Sequence, residues 1–289
     1  MRLRLLVAVF VLGVSIGARS DDNHHTLWTV KGNHSTVYLL GSVHALKAPD
    51  NDLPPDALRA YASAKALVME VNPNDINASA LLGSMLELQT LPAGMTLAGA
   101  LGPDAYNKFI AHAKPLGLDP ALVTHFQPWF AVQLLVQLEL AKLGFDPNDG
   151  VDLQLAKRAQ ADQKTIIGLE TIEEELGIFG HLSLEEQRHY VLYSLADLDN
   201  AASVLDAVVS AWRRGDTKVL EQLLGEGLEA FPGLYRQLIT DRNRKWLPTI
   251  IGLIKDDHDY LVVVGALHLV GKDGLVELLQ RQGYEVVQH

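Results

Sequence analysis

Two short stretches near opposite ends of the chain finish an apolar run in the same way. Residues 38–47 read YLLGSVHALK and residues 261–270 read LVVVGALHLV. Each run ends in Gly-x-x-His, at Gly41 and His44 and again at Gly265 and His268. Short apolar runs bounded by such breaks read as buried strands. A glycine where a strand stops lets the backbone turn sharply or come close to a ligand. If both runs belong to one sheet, the fold must bring the two ends of the chain together.

The remaining pattern supports that arrangement. Leu27–Val30 and Thr36–Leu40 flank KGNHS, whose Gly-Asn pair marks a hairpin turn. After His44 comes the polar loop APDNDLPPD, then a helix over ALRAYASAKA and a strand at Ala66–Val71 that Pro73 stops. From about residue 78 to 253 apolar residues recur at helical spacing, as in FAVQLLVQLELAKLG and TKVLEQLLGEGL. Pro103, Pro128 and Ser183 sit near helix starts, and Gly144 and Gly215 near helix ends. One strand, TIIGLE at 165–170, interrupts the helices. Strands return at 260–265 and 284–287, with a helix over KDGLVELLQRQG between them. The expected fold is α/β (α+β): a mixed β-sheet built from both chain ends, with a large helical insertion over about 78–253. Residues 21–289 are expected to form a single domain.

The first twenty residues read separately. Arg2 and Arg4 precede the apolar run LLVAVFVLGVSI, and Ala18-Arg19-Ser20 places small residues before Asp21. This is the pattern of a cleaved secretory signal. The run is shorter than the roughly 20 residues a spanning helix needs. The expected location is therefore periplasmic or extracellular, with no membrane span after cleavage; an uncleaved N-terminal anchor is the alternative. The absence of cysteine excludes disulfides and thiolate chemistry, so any metal must be held by His, Asp, Glu or Asn. A net charge of −11 lacks the basic footprint that nucleic acid requires.

In open α/β sheets ligands collect beyond the carboxyl ends of the strands. Both Gly-x-x-His motifs fall there, and imidazoles in such a crevice can bind a metal or move a proton. Glu70 closes ALVME and Glu170 closes TIIGLE. A carboxylate at the end of an apolar strand is costly unless it is paired or metal-bound; the plainer reading is a charge emerging at the sheet edge. Asp152, after the turn DPNDG, reads on local grounds as the N-cap of LQLAKRAQ. Arg242-Asn243 suits a clamp for a carboxylate or developing oxyanion, or else a polar helix face. Two His and one Glu in one crevice form a set that holds a catalytic divalent ion with an open position. No HExxH, Gly-x-Ser-x-Gly, P-loop or Gly-x-Gly-x-x-Gly motif is present.

From Leu27 to Val287 the chain resembles the TraB/PrgY/GumN family, bacterial relatives of the Tiki proteases of animals. The resemblance runs through LWTVKGNHSTVYLLGSVHALK, ALVMEV, FQPWFAVQLL, GFDPNDGVDLQLAKRA, IIGLETIEEELGIFGHLS, LITDRNRKWLPTI and VVVGALHLVGKDGLVELLQRQGYEV. The family signature falls on Gly41 and His44, Gly265 and His268, Glu70, and Arg242 with Asn243. Asp152 and Glu170 match further recurrent positions. The resemblance implies a divalent-metal-dependent peptidase: His44 and His268 bind the ion, with Glu70 as ligand. Glu70 or Glu170 acts as general base, and Arg242 with Asn243 steadies the oxyanion. Zinc, manganese and cobalt each suit such N/O ligands. The expected partner is a peptide or small-molecule substrate; the alternative is a protein that sequesters a peptide without cutting it.

The N-terminal pattern predicts a mature protein starting near Asp21. N-terminal sequencing of protein from the native host checks this. An intact Met1 in the soluble cytoplasmic fraction would overturn it.

Overall fold

The computed structural model describes residues 25–48, 51–76, 78–229 and 231–289. The segment read as a signal, residues 1–20, lies outside the described residues. Eight strands are present among those described: β1 Leu27–Lys31, β2 Thr36–Ser42, β3 Leu46–Lys47, β4 Ala66–Val71, β5 Phe145–Asp146, β6 Thr165–Glu170, β7 Tyr260–Gly265 and β8 Val286–Gln288. The helices are α1 Pro55–Ser63, α2 Ala78–Gln89, α3 Leu97–Ala113, α4 Pro128–Lys142, α5 Val151–Ala161 and α6 Ile172–Gly180. They continue with α7 Leu184–Leu198, α8 Ala201–Arg213, α9 Thr217–Glu229, α10 Pro232–Tyr235, α11 Asp241–Ile254 and α12 Leu275–Arg281. A π-helical turn, Arg236–Thr240, leads directly into α11.

Six strands form one mixed sheet in the order β6-β4-β7-β2-β1-β8. The four from β6 to β2 run parallel, and β1 pairs antiparallel with both β2 and β8. The two chain ends thus meet in the middle of the sheet, as the repeated motif requires. The parallel strands are apolar on both faces because both faces are covered. On one side Leu40, Leu67, Leu261 and Val263 pack with Trp212, Val151 and Leu155. On the other, Leu39, Val68, Val262 and Val264 pack with Trp246, Ile250, Ile254 and Leu275. Helices α3, α4 and α7 build a further core of their own around Leu101, Phe109, Leu135 and Leu195.

Local signals place most element ends. Ser183 caps α7 in a reciprocal box with Glu186. Pro128 opens α4, and Gly144 and Gly215 take positive φ just past α4 and α8. Pro103 lies within the span of α3, where Gly102 (φ 73°) breaks the helix and Pro103 begins its second half. The last strand differs from the expected 284–287: it is Val286–Gln288, set by pairing of Trp28 with Gln288 and Val30 with Val286.

The pairing of β2 with β7 staggers the two motifs by one residue. Gly41 faces Val264, and Ser42 faces Gly265. Because side chains alternate across a strand, the two glycines therefore occupy opposite faces. Gly41 lies in packed interior: a Cβ there would stand 2.6 Å from Thr26 Cγ2 and 3.1 Å from Ala266 Cα. Its carbonyl accepts a hydrogen bond from Trp212 Nε1 at 2.7 Å.

Gly41→Ala is therefore expected to cost about 1–3 kcal/mol by overpacking. Urea unfolding measures this, and an unchanged midpoint would mean that β2 and the turn after β7 have room to spare.

Candidate active site

The carboxyl ends of β2, β4, β6 and β7 lie at one edge of the sheet, and α11 packs against β2 and β6. At the end of β7, Gly265 donates its N–H to Glu70 Oε1 at 2.6 Å. The missing Gly265 side chain leaves the space around which the site is arranged. A Cβ at that position would lie 3.4 Å from Glu70 Oε1, 3.4 Å from His44 Nε2 and 3.7 Å from His268 Cδ2. His44, Glu70 and His268, which are remote from one another in sequence, therefore converge.

Arg242 occupies the centre of the cluster. Its Nε donates to both oxygens of Glu170, at 3.0 and 3.2 Å. Its NH2 donates to Glu70 Oε2 at 2.5 Å and Glu170 Oε1 at 2.6 Å. Its NH1 reaches Leu238 O in the π-helical turn at 3.3 Å and His268 Nε2 at 3.0 Å. The guanidinium also stacks over Trp246, 4.6 Å from the ring centroid. Glu170 is buried, Glu70 is largely buried, and both are paired with Arg242, so they are not charges emerging at a sheet edge; Arg242 and Asn243 do not form an exposed helix face.

Each imidazole is oriented through Nδ1. Asn243 Nδ2 donates to the carbonyls of His268 at 3.0 Å and Asp273 at 2.8 Å, which fixes the amide. Its Oδ1 then accepts from His268 Nδ1 at 2.7 Å. His268 accordingly carries its proton on Nδ1 and turns the Nε2 lone pair toward Arg242. Asn243 is fully buried with every amide group committed, so it positions His268 and is not a donor to an oxyanion. His44 Nδ1 lies 3.2 Å from Asp152 Oδ1. Asp152 sits in the first turn of α5, whose N-cap is Gly150, so the N-cap expectation for Asp152 is corrected. Gly150 is required there because a Cβ would come within 2.4 Å of His44 O.

The two imidazoles titrate in opposite directions. The hydrogen bond to Asp152 raises the pKa of His44 to about 9 despite opposing desolvation. Its side chain is 69% exposed, so water screens that pairing. Burial lowers the pKa of His268 to about 4, leaving it neutral at physiological pH. Burial opposes ionisation of Glu70, but the His268, Arg242 and His44 rings and guanidinium with the Gly265 N–H bring its pKa net below the ordinary value. With His268 neutral, Arg242, protonated His44 and the Gly265 N–H carry that effect near pH 7. Burial pushes Glu170 up against the pull of Arg242.

Glu175 is a site residue that the sequence did not reveal. Its Oε1 lies 3.9 Å from Arg242 NH2, and its side chain is 40% exposed. Burial, then the neighbouring Glu70, raises its pKa to about 6. In TIEEEL it is one of three acids in the first turn of α6, where acids favour the helix dipole in any protein. Nothing local separates it from Glu173 and Glu174.

Among the described residues no three His, Asp or Glu side chains stand as a group arranged to hold a metal ion. Arg242 engages Nε2 of His268 and Oε2 of Glu70. The donor chemistry itself suits a divalent ion. Both rings are held at Nδ1 by an oxygen acceptor, the arrangement typical of metal-bound histidines. Carboxylates also outnumber cations in the crevice, with Glu70, Glu170, Glu175 and Asp152 around Arg242 and His44. Among the described residues no helix is long and apolar enough to cross a membrane.

A family model described as "TraB/PrgY/gumN family" matches residues 26–288. The chain is 24% identical to "Uncharacterized protein YbaP" of Escherichia coli (strain K12), over 88% of this chain and 97% of that protein. It is 21% identical to "Metalloprotease TIKI2" of Xenopus tropicalis, over 92% of this chain and 60% of the frog protein. It is 20% identical to "Metalloprotease TIKI1" of Danio rerio, over 95% of this chain and 65% of the fish protein. No solved structure matches the chain.

The depressed pKa of His268 has a consequence for stability. The unfolded chain binds a proton that the native state refuses, so this contribution is complete above about pH 6.5 and is lost as pH falls toward about 4. In metal-free buffer the loss is expected to reach up to about 3 kcal/mol. His268→Gln should flatten the stability–pH curve over that window. Superimposable curves for the two proteins would exclude a buried neutral His268.

Proposed function

We propose, for a chain that belongs to the TraB/PrgY/gumN family, that this crevice is the active site of a divalent-metal-dependent hydrolase of peptides. The observation that carries the reading is the paired orientation of His44 and His268. Asp152 and Asn243 hold their Nδ1 atoms, and both rings meet Glu70 around the bare edge of Gly265. The frog and fish relatives are both named metalloproteases, which supports the reaction class. The N-terminal signal pattern supports action outside the cytoplasm, in the periplasm or beyond.

His44 and His268 through Nε2, with the Glu70 carboxylate, would hold the ion; zinc, manganese and cobalt each suit these donors. Such an ion, when bound, supplies Lewis acidity at the scissile carbonyl. The protein's own groups do the rest. Asp152 and Asn243 fix the direction of the two rings. The Gly265 N–H anchors Glu70 against rotation. Arg242 brings a permanent positive charge to the place where negative charge develops on the substrate oxygen. Glu170 has both oxygens committed to Arg242 and its side chain is 3% exposed, so Glu175 is the carboxylate that an attacking water can reach. A base whose pKa is raised toward 6 is suited to accept that proton near neutral pH.

The test is cleavage of a peptide library by purified protein reconstituted with zinc, manganese or cobalt, with and without chelator. His44→Ala is expected to lose bound metal and cleavage together, with a small change in melting temperature because the ring is largely exposed. Elemental analysis beside thermal melts reads both. Cleavage that survives exhaustive chelation would remove the metal from the mechanism. Peptide that is held but never cut would identify a sequestering protein.

A further inference from the structure

The proposed metal ligands are not idle in this structure. Arg242 NH1 lies 3.0 Å from His268 Nε2, and NH2 lies 2.5 Å from Glu70 Oε2. One guanidinium therefore engages two of the three groups that would hold the ion. An N–H directed at Nε2 uses the same lone pair that ligation needs, because His268 carries its proton on Nδ1. Two cations within contact distance also repel, and water screens the repulsion poorly where Arg242 and His268 are buried.

We propose that Arg242 is a tethered competitor for the divalent ion: it neutralises the ligand set when metal is absent and must swing off Glu70 and His268 for metal to bind. The inference rests on the metal-dependent reading above. The geometry supplies a pivot. Nε is bonded to both oxygens of Glu170, which is deeply buried, so that end of the guanidinium stays fixed. NH2 is held by Glu170 Oε1 as well, so only the contact of NH1 with His268 and the second contact of NH2, with Glu70, have to be released.

A competitor lowers apparent affinity by the fraction of protein whose site is open. Removing it should therefore tighten metal binding, the reverse of what loss of an ordinary supporting residue does. Zinc titrated calorimetrically into the wild type, Arg242→Met and His44→Ala proteins tests this directly. Arg242→Met is expected to bind zinc roughly tenfold or more tightly than wild type, and His44→Ala to lose the site. Because the variant leaves Glu70 and Glu170 without their cationic partner, a second measurement uses the intact chain. In 15N-labelled wild type, the Arg242 side-chain N–H signals, assigned by their absence in Arg242→Lys, are expected to move on zinc saturation. Zinc binding that depends on His44 but is unchanged or weaker in Arg242→Met, or that leaves the Arg242 signals in place, overturns the competitor role and leaves the metal reading standing. Absence of any His44-dependent zinc binding in wild type and variant overturns both.

Discussion

The Arg242 guanidinium binds four separate parts of the fold into one site. It joins Glu70 at the end of β4, Glu170 at the end of β6, His268 just beyond β7 and the carbonyl of Leu238 in the turn before α11. A planar, permanently charged fork is suited to this work, since it can face two carboxylates and an imidazole at once. Such a cluster is weak evidence of stability for its own sake, because taking the charges out of water is costly. Its integrity still matters: removing one partner of a buried ion group commonly costs about 3–5 kcal/mol through the charges left behind. Trp246 extends the unit, with Arg242 stacked on its ring and the His268 ring centroid 4.6 Å away.

Identical punctuation in the sequence becomes two different devices in the fold. The stagger of β2 against β7 turns Gly41 into packed interior, where it lets Thr26 and Ala266 approach, and puts Gly265 in the site. The two histidines diverge likewise. His44 faces solvent beside Asp152 and is held toward its charged form, whereas His268 is buried against Trp246 and Arg242 and is held neutral. Environments that drive two titratable groups apart are a recurring feature of sites that run acid and base chemistry together.

Much of this was legible in the residues. The apolar runs, the turn at Gly32-Asn33, the N-cap at Ser183 and the helix-opening Pro128 depend on neighbours within a few positions, and they appear in the fold where local rules put them. His44, His268, Glu70 and Glu170 were recognisable because each ends or follows a strand that must be buried. Asp152 and Asn243 were found as positions but not as what they do. Asp152 meets a partner 108 positions away, and Asn243 meets one 25 positions away, so no local pattern states either contact.

The sequence by itself determined the elements, their approximate ends and the condition that the chain termini share a sheet, because those follow from local sterics and apolar periodicity. Tertiary structure alone decided the one-residue stagger, the bounds of β8, the tautomer of His268 and the presence of Glu175 in the crevice. It also decided that Arg242 lies upon two of the groups that would take a metal. Each of these is set by burial and by charged or hydrogen-bonding groups far away in the chain, and the strength of such interactions depends on distances that no stretch of sequence contains.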